Sequence, residues 1–539
     1  MAFERNTPAY RAVTALLAGL AAGLAHPPFG LLLGLLGYSL ILLRLETLTA
    51  PRPLRAAFWL GWLAGLGYFG VSTWWIAEPF LVDARLYGWM APFAVVLMGG
   101  GLALLWGVAA LVYRALSPKG IGKVLVFAGV FASAEWLRGH LLTGFPWNLP
   151  GESWRAGGAM SQSAAWAGAY GLTWITLALA ATPALLMLPL SRRSRVGALL
   201  VAGLVMIGLY AGGGGRLAAS RQQHAAVDAP MIRILQANID QKRKWKPENL
   251  QLIFDTYLAL STGPTPISPD VIIWPEGALP AVIDALLAPG SPYAVRLRDA
   301  IQPTQTLLMG ANRVEADSAG KARYFNTLVA LRRDGSGLRV VGIYDKHRLV
   351  PFGEFLPLGD LAGRIGLRSL VHMEEDFTPG PRPRTLHLPG LPPLQPLICY
   401  EALFPGLSLA TPDDRAAWIL NISNDAWFGA TSGPLQHLNI ASYRAIEQGL
   451  PIIRATPTGV SAVIDAQGRI VPGRRLGLGA FGVIDARLPP PTEPTPYSLL
   501  GDWLFGGMLV LSIGAWIAGR APPRLWRSKM GSDPTLGAI

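Results

Sequence analysis

Pro396-Leu397-Ile398-Cys399-Tyr400-Glu401 is an apolar run that ends in a thiol beside polar groups, and Cys399 is the only cysteine in a chain of 539 residues. A single thiol makes no internal disulfide. Nor does it supply a zinc or iron-sulfur site, which takes several sulfur ligands at close spacing. Two readings remain: buried filler, since free cysteine is among the most buried residue types, or a nucleophile. Two further runs of the same texture bear on the choice. Val271-Ile272-Ile273-Trp274 leads into Pro275-Glu276, and Val341-Gly342-Ile343-Tyr344 leads into Asp345-Lys346. Short runs rich in Val, Ile and Leu have the pattern of buried strands, and in α/β folds the carboxyl ends of strands are where side chains converge on a ligand. A carboxylate, an ammonium and a thiol gathered there form a coherent set, with Glu276 to take the thiol proton and Lys346 to stabilise first the thiolate and then an oxyanion. Taken singly, Glu276 reads as a solvated loop acid and Lys346 as part of a charged turn; the joint pattern with the lone thiol favours a site.

Working outward, similar runs at 232–235, 327–331, 340–344, 397–400 and 418–422, with helical patterns at 294–301 and 435–447 between some of them, predict a mixed α/β sandwich. Gly212-Gly213-Gly214-Gly215 and the polar stretch after it predict a linker over 213–229. The proline-rich Leu488-Pro489-Pro490-Pro491-Thr492-Glu493-Pro494 closes the domain, which is placed at 230–490.

The remainder of the chain is of another kind. The whole is 51% hydrophobic and 15% charged, with a mean hydropathy of +0.36, which points to membrane spans. Apolar windows lie at 13–25, 30–43, 56–76, 89–112, 124–137, 164–187, 196–211 and 499–518, about eight spans by length. The net charge of +13 falls in clusters between these windows, as at Arg44, Arg52 and Arg55, or Arg192, Arg193 and Arg195. That is the positive-inside pattern and argues against nucleic acid as a partner. It predicts a polytopic α-helical membrane protein. A seven-helix region at 1–212 precedes the inserted extracytoplasmic domain; a linker and last helix at 491–519 follow it, and the basic tail is 520–539, with both termini cytoplasmic. The first window reads as a retained helix rather than a cleaved signal, because further spans follow at once. Small-residue spacings at Gly30 with Gly34 and Gly61 with Gly65 predict close helix approach.

Trp274-Pro275-Glu276, Tyr344-Asp345-Lys346 and Cys399-Tyr400-Glu401 resemble the Glu-Lys-Cys triad of the nitrilase (carbon-nitrogen hydrolase) superfamily. With about eight spans around the domain, the chain resembles the membrane branch of that superfamily, the apolipoprotein N-acyltransferases. The resemblance extends through Phe145-Pro146-Trp147, Gln236-Ala237-Asn238, Trp245, Leu349-Val350-Pro351-Phe352-Gly353-Glu354, Ser423-Asn424-Asp425-Ala426-Trp427-Phe428-Gly429, Gln436-His437, and Thr495-Pro496-Tyr497 with Gly501-Asp502. It implies an αββα sandwich on the periplasmic face of a bacterial inner membrane, and an acyl transfer in two stages. A phospholipid gives its acyl chain to the thiol, and the α-amine of a diacylglyceryl-cysteine apolipoprotein then takes it as an amide; no cofactor or metal is implied. By the same resemblance Cys399 is the nucleophile, Glu276 the general base and acid, and Lys346 the oxyanion stabiliser. Glu354, Trp245, Tyr400 and Glu401 support the site. One departure is Pro457, where the pattern has Asn or a similar residue and proline removes a backbone donor.

Physical logic favours the same assignment. An amine attacks a thioester more readily than an oxygen ester, water has to be kept from the intermediate, and both substrates are lipids of the bilayer. The long segment 352–371, with Phe355, Leu356, Leu361, Ile365, Leu367 and Leu370, reads equally as a lid dipping into the bilayer or as a packed loop. Rival readings are a Cys-His hydrolase using His347 or His437, which leaves Glu276 and Lys346 unexplained, and a transporter, for which Glu135 is the main intramembrane charge. The closest rival is a membrane-tethered amidase with the same triad. Scattered histidines argue against a metal.

Overall fold

The computed structural model describes residues 7–221, 225–335, 337–357, 376–408 and 414–520. Among these, five helical stretches are long and apolar enough to cross a membrane: Ala84–Leu116, Gly120–His140, Met160–Met187, Arg192–Ala219 and Trp503–Arg520. The windows at 13–25, 30–43 and 56–76 fall instead on helices Pro8–Gly23, Leu36–Glu46 and Pro53–Ser72, of 16, 11 and 20 residues. These three pack tightly in the same bundle. A Cβ on Gly34 would lie 1.9 Å from the Ala21 carbonyl oxygen and one on Gly61 would lie 2.4 Å from Ala110 Cβ, so both glycines permit the expected close approach; at Gly30 a Cβ would meet open space.

The expected linker at Gly212 is corrected. Helix Arg192–Ala219 runs straight through the four glycines. Each helical glycine costs about 1 kcal/mol relative to alanine, and packing supplies the compensation: a Cβ on Gly213 would lie 2.0 Å from the Ala159 carbonyl oxygen.

The polar half is built on two sheets. Strands β1 (Met231–Gln236), β2 (Val271–Trp274), β3 (Thr306–Ala316), β4 (Ala322–Asp334) and β5 (Gly337–Asp345) belong to one sheet. Strands β6 (Leu394–Ile398), β7 (Trp418–Ile422), β8 (Ile452–Ala455), β9 (Ser461–Ile464) and β10 (Ile470–Leu476) form the other, and β11 (Gly482–Arg487) returns to the first. The orders are β11-β1-β2-β3-β4-β5 and β10-β9-β8-β7-β6.

Side chains alternate between the faces of a strand, and this alternation sets the layers. Ile232, Ile234, Val271 and Ile273 on the first sheet meet Leu394, Ile398, Leu420 and Ile453 on the second in one core. The opposite faces are covered by helices. Ile272 and Trp274 pack on Ile253, Phe254 and Tyr257 of helix Leu250–Thr262, and Leu397, Ile419 and Ile452 pack on Leu438, Ile440 and Ala445 of helix Gly433–Gln448. The result is an αββα sandwich.

Helix Gly433–Gln448 is buried on nearly every side, because its far face lies against the helical bundle. Three of its polar side chains bond to the bundle: Trp147 Nε1 donates to Gln436 Oε1 at 2.9 Å, Asn439 Nδ2 donates to the Glu152 carbonyl at 2.9 Å, and the Ala169 amide donates to Glu447 Oε1 at 2.8 Å. Arg138, paired with Glu135, holds the bundle's loop in shape by donating to the carbonyls of Phe145 and Trp147.

Candidate active site

β2 and β3 pair in parallel, while β3 with β4 and β4 with β5 pair antiparallel, so β2 and β5 point the same way. Their carboxyl ends deliver Glu276 and Lys346 to one edge. β6 of the facing sheet ends at Ile398, two residues earlier than its apolar run predicts, and Cys399 opens a tight 3-10 turn, Cys399–Leu403. The thiol residue has φ of 49°, a left-handed conformation that costs a non-glycine residue about 1–3 kcal/mol.

Glu401 holds that conformation. Its buried carboxylate accepts from the Ile398 amide at 2.7 Å on one oxygen. The other oxygen accepts from the Tyr344 hydroxyl at 2.6 Å, the His347 amide at 2.7 Å and the Arg348 amide at 3.2 Å. One side chain thus ties the thiol turn to the segment that carries Lys346.

Lys346 is buried and donates to Glu354 Oε1 at 2.9 Å and to Glu276 Oε1 at 3.3 Å. Asn326 Nδ2 donates to the same two oxygens at 2.7 Å each. The remaining oxygens are fixed by main chain: Asn424 N to Glu276 Oε2 at 2.6 Å and Val350 N to Glu354 Oε2 at 2.8 Å. Burial pulls the Lys346 ammonium down, but the charges of Glu276, Glu354 and Cys399 more than reverse this and leave it above its ordinary value. Burial pushes the Cys399 thiol up, Glu276 adds to that, and Lys346 opposes it. A thiol so placed rests protonated, and its ionisation calls for a base.

The other expected residues sit around this cluster. Tyr400 donates through its hydroxyl to the Gly144 carbonyl at 2.5 Å, joining the thiol turn to the bundle's loop. Trp245 is outside the hydrogen-bonded cluster and 45% exposed, its ring 5.5 Å from the Lys244 ammonium. The Pro457 carbonyl accepts from the Asn238 amide at 2.8 Å, so that wall keeps an acceptor where it lacks a donor. His347 lies beside the cluster with Nδ1 against the Gly380 carbonyl, while His437 bridges the Asp425 carboxylate at 2.9 Å and the Cys399 carbonyl at 3.2 Å. Of the segment 352–371, residues 358–371 lie outside the described residues; Phe352 at its start is 53% exposed with φ of 61°.

Two site residues have no part in the sequence reading. Asn326 is one, and its signal is a polar residue amid the apolar run of β4. Lys244 is the other: a buried ammonium with no hydrogen-bond partner among the described residues, pulled down to about 8 by burial against the opposing charge of Glu276. Among the described residues no group of three or more His, Cys, Asp and Glu is placed to hold a metal ion.

Two sequence families match the chain: the apolipoprotein N-acyltransferase N-terminal domain over residues 18–182 and the carbon-nitrogen hydrolases over residues 231–493. A protein of Caulobacter vibrioides named apolipoprotein N-acyltransferase is 54% identical over 94% of this chain and 94% of its own. One of the same name from Rhodopseudomonas palustris is 38% identical over 95% and 96%. Among solved structures, a mutant of the Nesterenkonia AN1 amidase from the nitrilase superfamily aligns at 19% identity with a TM-score of 0.34, covering 52% of this chain and 98% of its own. With full-length similarity at this identity and both domains matched in order, the chain belongs to the apolipoprotein N-acyltransferase family.

Proposed function

We propose that the enzyme, a membrane-bound N-acyltransferase of lipoproteins, works through a thioester on Cys399. Glu276 takes the thiol proton and the sulfur attacks the ester carbonyl of a phospholipid. Lys346 stabilises the oxyanion that forms, and the intermediate expels the glycerol oxygen, which takes the proton from Glu276 and leaves as lysophospholipid. The α-amine of the diacylglyceryl-cysteine apolipoprotein then attacks the thioester. Glu276 accepts a proton from that nitrogen and returns it to the departing sulfur, so the amide forms and the thiol is restored. Glu354 and Asn326 keep Lys346 and Glu276 in register, Glu401 fixes the turn, Tyr400 anchors it, and Trp245 lines the approach.

The observation that carries the proposal is the shared hydrogen-bond cluster of Glu276, Lys346, Glu354 and Asn326 beside the only thiol of the chain. The proposed topology is a bundle of about eight spans, with 13–25, 30–43 and 56–76 added to the five long helices. The domain at 230–490 sits on the periplasmic face of the inner membrane, and both termini are cytoplasmic. Basic clusters between apolar windows support this orientation. The same cluster of side chains could serve an amidase, and the two are separated by experiment. Purified protein is incubated with a phospholipid labelled in its acyl chain and analysed by mass spectrometry. A label on Cys399 that passes to a lipopeptide amine and is absent from Cys399→Ala is expected; label persisting in that variant overturns the mechanism, and release of free fatty acid without transfer favours the hydrolase.

A further inference from the structure

A cavity of about 330 Å³ opens between the helical bundle and the catalytic domain, lined in part by Phe404 to Leu407 just after the thiol turn, and none of Cys399, Glu276 and Lys346 lines it. His140, which closes helix Lys123–His140, and Asp502, which immediately precedes helix Trp503–Arg520, lie on its wall. Both helices belong to stretches long enough to span a bilayer, and the cavity sits where the end of one meets the start of the other.

Arg348 and Arg382 lie on its wall. Arg348 lies with its guanidinium 5.1 Å from the Phe404 ring centre, and its Nε is buried with no hydrogen-bond partner among the described residues. Arg382 is exposed and spends one N–H on the Gly406 carbonyl at 3.2 Å. Two guanidiniums with free donors match the oxygens of a phosphodiester. Asp502, on the same wall as His140, accepts from the Tyr497 hydroxyl at 3.2 Å and from Trp136 Nε1 at 3.4 Å, and no ion pair to it occurs among the described residues, although the charge of His140 reaches it. An ammonium beside this carboxylate would be stabilised by its charge. Away from the cavity, helix Trp503–Arg520 leaves Leu504, Val510 and Leu511 exposed, a track on which acyl chains would lie.

We propose that this cavity holds the headgroup of a phospholipid that carries both a phosphodiester and a primary ammonium, bound apart from the thiol and not consumed. The inference rests on the reading that the long helices cross a bilayer. Arg348 also donates its main-chain N–H to Glu401, so a lipid held here would brace the back of the thiol turn.

The test uses the full chain as Cys399→Ala, in which no acyl-enzyme forms and retained lipid cannot be a reaction intermediate. The protein is reconstituted in nanodiscs of equimolar dioleoyl phosphatidylethanolamine and dioleoyl phosphatidylglycerol, and the lipid it keeps on release is identified by native mass spectrometry. Preferential retention of phosphatidylethanolamine is expected, reduced at least about tenfold, a change of about 1.4 kcal/mol, when Arg348→Gln and Arg382→Gln are added. Asp502→Asn, a near-isosteric change that keeps the fold, is expected to abolish the preference between the two headgroups. The proposal is overturned by equal retention of both lipids in the parent, by an unchanged preference in Asp502→Asn, or by displacement of the lipid by millimolar inorganic phosphate, which would mark a plain anion site. Failure to label Cys399 in the unmodified protein would strike the catalytic mechanism and leave this result standing.

Discussion

Replacing Glu401 by glutamine keeps the shape of the side chain and removes its charge, and the consequence can be worked from the bonds it makes. One oxygen accepts three donors and the other accepts one, the Ile398 amide. With the amide oxygen facing the three, each bond falls from the charge-assisted range of about 1.5–3 kcal/mol to the neutral range of about 0.5–1.5 kcal/mol. The amide nitrogen then faces the Ile398 N–H, donor against donor, and leaving that group unsatisfied costs about 1–3 kcal/mol. The total is about 4–7.5 kcal/mol, offset in part because a neutral amide escapes the cost of burying a charge. A net loss of about 2–4 kcal/mol is therefore expected, or on the order of 10 °C in melting temperature. Tyr344→Phe deletes one donor from the same oxygen and is expected to cost less than half as much. The thiol turn should also lose its left-handed pose, so thioester formation should slow in Glu401→Gln by more than the melting shift explains. Thermal unfolding in detergent and the rate of Cys399 acylation at a temperature where both proteins are folded are the measurements. A Glu401→Gln protein that melts and acylates like its parent would refute the claim that this carboxylate holds the turn.

Three further outcomes follow from the geometry. Because burial holds the Cys399 thiol above its ordinary value, the thiolate fraction should climb about tenfold per pH unit; alkylation by iodoacetamide should rise without levelling between about pH 7 and 9, where a free cysteine near 8.5 levels off. Lys346→Met removes the opposing cation and should slow alkylation throughout; a plateau below about pH 8 contradicts the burial argument. For Lys244 the folded value of about 8 lies below the unfolded one near 10.4, so the unfolded chain binds more protons between them. Stability should therefore rise with pH across that window, and Lys244→Met should flatten the rise and stabilise the protein at pH 7 by about 3 kcal/mol, as read by denaturation at several pH values. Gly213→Ala places a Cβ 2.0 Å from a carbonyl oxygen and should destabilise, whereas at Gly212 a Cβ meets nothing within 4 Å, and Gly212→Ala should gain up to about 1 kcal/mol of helix stability; equal melting shifts would show that the helix does not pack on Ala159 through Gly213.

What could be read in advance was what a single strand displays. β2, β5 and β6 each carry an apolar run that stops at a polar residue, and the shared direction of β2 and β5 brings Glu276 and Lys346 to one edge, where the turn after β6 carries Cys399. β3 was illegible because Thr306-Leu307-Leu308-Met309-Gly310 has few β-branched residues and reads as well as a buried helix. Asn326 was missed because its role is to bridge two acids that arrive from β2 and from the turn after β5, and nothing near it in sequence announces either. The Asn424 amide on Glu276 was beyond any reading of side chains, since the donor is main chain. Gly212 to Gly215 misled because four glycines in a row oppose a helix by propensity, and only the neighbouring Ala159 carbonyl makes one of them a requirement.

The hydrogen bond from Tyr400 to the Gly144 carbonyl, with its companions at Gln436, Asn439 and Glu447, also limits what can be taken from this enzyme as a reagent. Freed from the bundle, the polar half would expose Trp147's partner, the far face of a nearly buried helix and several ion-paired side chains to water, and its thiol turn would lose one of its moorings. A water-soluble fragment cut at the sandwich boundaries should therefore aggregate or remain inert even with every catalytic side chain present, and any portable version has to carry a substitute for the membrane's share of the wall.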